Sequence, residues 1–311
     1  MNKIRNLLIP LRLDHWVKNL VIILGFIFGA FYKKINIVDL NDLLLGFFVL
    51  CISASSNYII NEYCDKDFDK NHPVKKWRYF VENYESLKVV LIKYLLLIFL
   101  SVFLSTLINK TFFVINLIFL FCGILYNVKP FRFKDIYLID VLLEAVNNPI
   151  RFLMGWVLIL PEAFPPISVV LFFWFVGCFL MSMKRYSEYK FIIEKKAIPT
   201  KYRLSFNKYN LDNLYSLSFF YCLLSFFFFT IFFIKYKTEL ILLVPIVCYL
   251  YLHIFKSSEK KNSLIMKIEK IYKDKLFVFL IILISIMTIF LLNIEIKFLD
   301  LFEKKELIYF K

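Results

Sequence analysis

The sequence predicts an all-α polytopic membrane protein, a bundle of nine transmembrane helices with cytoplasmic cap loops, forming one domain over residues 1–311. Three observations carry that expectation. Hydrophobic residues make up 60% of the chain, with 38 Phe and only 6 Gly, well above the roughly 45–50% apolar content of soluble domains. The chain nevertheless carries 39 Lys and Arg against 24 Asp and Glu, a net charge of +15, so its charges must be segregated from its apolar runs. A bilayer core needs roughly 20 mostly apolar residues per helix, and nine windows of the chain meet that need. An ordinary cytosolic enzyme and a disordered chain are excluded. The six Cys form no CxxC pair and the three His no HExxH, so neither a disulfide framework nor a zinc site is implied. Pro10, Arg12 and Asp14 interrupt the first short apolar run, which does not read as a cleaved signal.

The first window, 17–33, is entered through RLDHWVKN, where Lys18 and Asn19 stand beside Trp16. They read either as interfacial anchors or as phosphate ligands. The second window, 43–62, runs straight into NEYCDKDFDKNHPVKKWR. Windows three and four cover 88–108 and 111–127 and lead to YNVKPFRFKD, placing Tyr126, Lys129, Arg132 and Lys134 at a membrane mouth. The fifth, 139–160, is the one loaded with ionisable and amide side chains: Asp140, Glu144, Asn147, Asn148 and Arg151 make one polar stripe at helical spacing. A charge near mid-membrane costs at least about 2.5 kcal/mol on insertion scales, so the stripe is expected to face the bundle interior or a watery cavity. Arg151 there reads as a ligand or as the partner of Glu144 in a purely structural pair, and Pro149 is expected to kink the helix. The sixth window, 166–183, ends at KRYSE, and the Tyr- and Lys-rich stretch from Lys184 to Asp212 is expected to cap the mouth. Windows 214–234, 239–255 and 276–294 complete the set, with an amphipathic stretch from Ser257 to Lys275 expected at the interface. Basic residues concentrate in the N-terminal segment and in the loops after windows two, four, six and eight, which puts those loops in the cytoplasm.

If the second helix continues beyond its apolar window, Asn57, Asn61, Asp65 and Asp69 recur every four residues and share a face, with Glu62 on the adjacent stripe. Stacked carboxylates repel one another unless a cation lies between them, and hard oxygen ligands with room for water suit Mg²⁺. Lys75, Lys76 and Arg78 follow immediately and can take phosphate oxygens, arginine two at once. Acid on the helix and base on the loop suggest a magnesium diphosphate pocket. The plainer reading is a solvated, mixed-charge helix end.

Asn61-Glu62-x-x-Asp65-x-x-x-Asp69 resembles NDxxDxxxD, the first aspartate-rich motif of the UbiA superfamily of intramembrane prenyltransferases, with Glu62 in place of its first aspartate. HPVKKWR resembles the HPxKxxRP that follows it, with Tyr79 where proline is usual. RLDHWVKN is similar to the RPxxWxKN opening of the branch containing decaprenyl-phosphate phosphoribosyltransferase, with Leu13 for the proline, and KRYSE to that branch's KRxxE. The second acidic motif, often DxxxD, has its nearest counterpart in Asp140-x-x-x-Glu144, with Asp135 a competing candidate.

The resemblance implies Asn61, Glu62, Asp65, Asp69, Asp140 and Glu144 as catalytic and Mg²⁺-holding residues. It implies Lys18, Asn19, Asn57, Lys75, Arg78, Tyr126, Lys129, Arg132, Asn148, Arg151, Lys184 and Arg185 as substrate-binding. The expected reaction displaces diphosphate, either from phosphoribosyl diphosphate by a polyprenyl phosphate or from a polyprenyl diphosphate by another acceptor. The first fits the abundance of basic residues. Expected surroundings are the lipid bilayer of a bacterial inner membrane with the site facing the cytoplasm, and no nucleic-acid partner. A transporter and a catalytically inactive scaffold are the other classes considered.

Overall fold

A computed structural model describes residues 9–34, 40–72, 75–260 and 263–302, and every regular element among them is helical. The chain enters through 3₁₀ turns at Ile9–Leu11 and Leu13–Leu20 and continues as α1, Val21–Lys33. Then follow α2 (Leu40–Asp69), α3 (Leu87–Thr106), α4 (Lys110–Asn127), α5 (Ile139–Ala145) and α6 (Asn147–Trp156). The remainder is α7 (Ile167–Glu194), α8 (Leu211–Tyr236), α9 (Val244–Ser258) and α10 (Lys275–Leu292). Asn109, Asn210 and Asp274 cap α4, α8 and α10 by accepting backbone N–H groups of the first turn, as N-cap residues do.

Eight of the described helical segments are long and apolar enough to cross a membrane. The fifth expected span is instead two short helices that meet at Val146. Pro149 is the cause: it offers no N–H to the Ala145 carbonyl one turn earlier, and its ring crowds that carbonyl. Two other windows are longer than their apolar cores. α2 runs on to Asp69 and α7 to Glu194, so both project a polar turn or more beyond the greasy segment, and Lys184, Arg185 and Glu188 lie on a helix rather than in a loop.

Packing follows from the side chains available. α7 lies along α8, with Phe172 stacked on Phe229 at 4.8 Å and Phe175 on Phe228 at 5.4 Å. Offset ring pairs of this kind add to the area they bury. Outer helices α3 and α10 leave Leu95, Phe99, Phe103, Ile282, Ile286 and Phe290 exposed, as suits contact with lipid tails. α1 crosses α6 at glycines: a Cβ on Gly25 would lie 1.9 Å from the Phe152 oxygen, and one on Gly155 1.9 Å from the Ile22 oxygen. Small residues that let two backbones touch are a common way to join helices in lipid. The 3₁₀ run at Leu264–Lys273 packs on α7 and α9, so the expected interfacial stretch lies against the bundle.

Candidate functional site

The polar ends of α2, α4 and α7, the α5–α6 break and the 3₁₀ run Leu13–Leu20 enclose a cavity of about 350 Å³. Its walls are mixed. Asn57, Asn61 and Asp65 line it from α2, in the register expected for one face of a continuous helix. Tyr126 enters from α4, Glu144 from α5, Arg151 from α6, and Lys184 and Arg185 from α7. Lys18, Lys75 and Arg78 complete the expected residues that reach it.

Five carboxylates at or behind the cavity wall, Asp65, Asp69, Asp140, Glu144 and Glu188, are held by cations. Asp65 takes Arg132 Nη2 at 3.0 Å and pairs with Lys134. Burial depresses the Lys134 ammonium to about 8, Asp65 opposing the fall. Asp69 is buried outside the lining and accepts from Arg78 at 2.6 Å. Glu144 pairs with Arg185 and accepts from the Tyr126 hydroxyl at 2.7 Å. Asp140, fully buried, accepts from Tyr209 at 2.7 Å, from Ser205 at 3.2 Å and from Arg185 at 3.3 Å. Burial, then the Asp140 charge, raises the Tyr209 hydroxyl above its ordinary range, which keeps it a donor. Glu188 pairs with Lys75 and sits 3.0 Å from His72, tying the loop after α2 to α7. Burial lowers both His72 and Lys75 from their usual values, with Glu188 opposing.

The remaining expected residues sit one contact back or elsewhere. Glu62 is buried against the backbone N–H groups of Tyr79 and Phe80. Asn19 and Asn148 give their amide oxygens to Arg151, Arg132 serves Asp65, and Lys129 is exposed outside the lining. The stripe expected on the fifth span holds across the interruption at Val146, since Glu144, Asn147 and Arg151 all line the cavity, while Asp140 at its start is buried against the cap loop. The competing Asp135 accepts from Arg132 at 2.8 Å and lies outside the lining.

Several lining residues were absent from the expected set. Arg12 and His15 are two of them; with the expected Lys18 they occur at intervals of three, and in a 3₁₀ helix such residues eclipse one another. Arg12 Nη2 is 2.6 Å and Lys18 Nζ 3.2 Å from the His15 ring. That conformation is not announced by the apolar pattern of the first window. Arg203 comes from the cap loop and joins the two acidic halves: it lies 3.4 Å from the Tyr126 hydroxyl, 3.4 Å from the Lys134 carbonyl and 3.6 Å from Asp140. Gly123 is needed because a Cβ there would lie 2.0 Å from Asn57 Oδ1.

Among the described residues, no group of three or more His, Cys, Asp or Glu could hold a metal by itself. His15 and His72 in the lining are taken up by Arg12 and Glu188, and the carboxylate and amide donors that reach the cavity are hard oxygens, including the buried Asn57 Oδ1, which has no hydrogen-bond partner. That set fits an ion like Mg²⁺, which takes one or two carboxylates and completes its shell with water and substrate phosphate.

Comparison with known proteins gives a consistent pattern. The model of the UbiA prenyltransferase family matches residues 22–271. A UbiA homolog from Archaeoglobus fulgidus, solved bound to GPP and Mg²⁺, superposes with a TM-score of 0.66 at 20% identity, covering 90% of this chain and 99% of that one. A structure of digeranylgeranylglyceryl phosphate synthase superposes with a TM-score of 0.62 at 19% identity, covering 94% and 98%. Among curated proteins, the uncharacterized protein y4nM of Sinorhizobium fredii is 24% identical over 155 residues, 50% of this chain and 29% of that protein. Decaprenyl-phosphate phosphoribosyltransferase of Corynebacterium glutamicum is 31% identical over 68 residues, 22% of this chain and 20% of that one. The chain thus spans less than a third of either curated relative.

Proposed function

The chain belongs to the UbiA prenyltransferase family, and from that premise we propose that it is a Mg²⁺-dependent transferase of the bacterial inner membrane that moves a phosphoribosyl group onto a polyprenyl phosphate at the cytoplasmic face. The whole chain acts as one domain in this reading. The observation that carries it is the charge of the cavity wall, where eight Lys and Arg side chains face the carboxylates of Asp14, Asp65 and Glu144. One diphosphate with its metal does not call for so many cations. Two phosphorylated substrates meeting at one mouth do. The stretch similar to decaprenyl-phosphate phosphoribosyltransferase supports the same choice.

Asp65, Glu144 and Asn61 are the residues that would hold Mg²⁺, with substrate oxygens and water completing its shell. The ion, when bound, neutralises charge developing on the leaving diphosphate. Lys75, Arg78, Lys184 and Arg185 do the same through hydrogen bonds aimed at the departing oxygens. As the bond from the anomeric carbon to diphosphate breaks, its electron pair leaves with the diphosphate, and a phosphate oxygen of the lipid forms the new bond. That oxygen is ionised at neutral pH, so no general base is required. Asp69, Asp140 and Glu188 act as positioning residues: they fix Arg78, Arg185 and Lys75, and Glu62 anchors the turn after Arg78.

A second reading, prenyl transfer from a polyprenyl diphosphate, is favoured by the GPP and Mg²⁺ bound to the Archaeoglobus fulgidus homolog. One experiment separates them. Purified protein is given radiolabelled phosphoribosyl diphosphate with a polyprenyl phosphate, and separately a prenyl diphosphate with aromatic acceptors. Label in the lipid phosphate fraction is the expected result; label only in a prenylated acceptor overturns it.

A further inference from the structure

Arg151 is buried at 7% exposure, yet among the described residues no carboxylate lies within 4 Å of it. Its guanidinium is held by neutral oxygens, Asn19 Oδ1 at 2.9 Å and Asn148 Oδ1 at 3.3 Å. Asn19 is oriented in turn by its donation to Cys51 Sγ at 3.2 Å. The nearest acid acting on it, Glu144, is committed to Arg185 and Lys184. Phe119 lies under the guanidinium, 5.7 Å from its ring centre. A cation placed this way inside a membrane protein is costly unless an anion arrives, and here it opens on the cavity.

Its level in the cavity can be read from the helices. Asn57 donates to the Phe119 carbonyl and Asn61 to Asn127, so α2 and α4 run side by side. Phe119 is two turns below Asn127 and Asn57 two turns below Asp65, roughly 12 Å along each helix. Arg151 therefore sits on the floor, among Ala54, Phe119 and Cys122, while Asp65, Lys75 and Arg78 ring the mouth.

We propose that Arg151, held by Asn19 and Asn148, is a second anion subsite at the cavity floor that takes a phosphate monoester separate from the diphosphate at the mouth. It rests on the proposed phosphoribosyl transfer for its biological meaning, not for its existence. Either substrate of that reaction carries such a group, the sugar at its 5-position and the lipid at its head. The apolar floor favours the lipid.

Binding by purified protein in nanodiscs tests this with four probes: farnesyl phosphate, farnesol, ribose 5-phosphate and ribose. Arg151→Gln should weaken farnesyl phosphate by roughly tenfold to a hundredfold, the range of a charge-assisted hydrogen bond, and leave farnesol unchanged. Arg151→Lys, which keeps the charge without the fork, should recover part of the loss and guards against a variant that merely fails to fold. Equal losses for farnesyl phosphate and farnesol, or no loss for either phosphate, would overturn the subsite. A loss confined to ribose 5-phosphate would keep the subsite but overturn its assignment to lipid. Arg151-dependent binding without any phosphoribosyl transfer would sink the proposed reaction alone, whereas transfer with Arg151-independent binding would sink the subsite alone.

Discussion

The two acidic walls of the cavity rest on backbones of opposite kind. On α2 the helix is unbroken from Leu40 to Asp69, so Asn57, Asn61 and Asp65 climb one face a turn apart, all reaching the cavity. On the facing wall the helix breaks at Val146. There Asp140 is sequestered beneath Tyr209 and Ser205, Glu144 reaches the cavity, and Arg151 turns to Asn19. A continuous helix keeps equivalent groups in equivalent places. The interrupted one keeps Glu144 and Arg151 on the cavity and withdraws Asp140 behind it.

If that contrast is right, the strongest effect belongs to the continuous wall. Asp65→Ala should lower Mg²⁺-dependent turnover by about 10²–10³, the scale of losing a group aimed at developing charge, in protein that stays folded in detergent. Asp69→Ala should cost less, because Asp69 acts through Arg78; equal losses in a steady-state assay would place both acids on the ligand. On the other wall, Glu144→Gln should slow turnover the more, while Asp140→Asn should mainly destabilise, with a smaller loss of turnover through Arg185. Breaking the buried Asp140–Arg185 pair is worth about 3 kcal/mol, read as a lowered midpoint of thermal unfolding. Turnover loss without destabilisation in Asp140→Asn would erase the distinction between the walls.

The smallest effect concerns Lys134, which links the walls through Asp65 and Arg203. Its folded value of about 8 lies below the ordinary 10.5, so the unfolded chain holds more protons between those two pH values. The contribution of this group to stability therefore rises with pH across that window. Activity runs the other way: above about pH 8 the neutral amine no longer balances Asp65, and turnover should fall a few-fold in a pH–rate profile. Lys134→Arg should carry the plateau to higher pH.

Much of the first wall was legible because a four-residue repeat of Asn and Asp needs only helix continuity to become a face, and the basic loop after it needs only proximity. The second wall was legible in composition but not in arrangement. Asp140, Glu144 and Arg151 read as one stripe, and Pro149 signalled the interruption at Val146 without saying that Asp140 alone of the three would be withdrawn from the cavity. Arg203 escaped notice because its partners are distant in sequence, on the opposite wall. His15 did so because it precedes the apolar window, in a 3₁₀ run that no apolar pattern announces. The partner expected for Arg151, Glu144, is taken by Arg185, a competition no local pattern records.

The contact of Gly25 with Phe152 and of Gly155 with Ile22 has a metrical consequence. Two main chains pressed together without intervening side chains cannot slide past each other, and Asn19 and Arg151 lie on these same two strands of packing, a turn or so away. The guanidinium's height in the bilayer is thereby pinned like a mark on a ruler. A substrate must span the gauge from mouth to floor, so reach, as much as charge, decides which molecules can satisfy both ends.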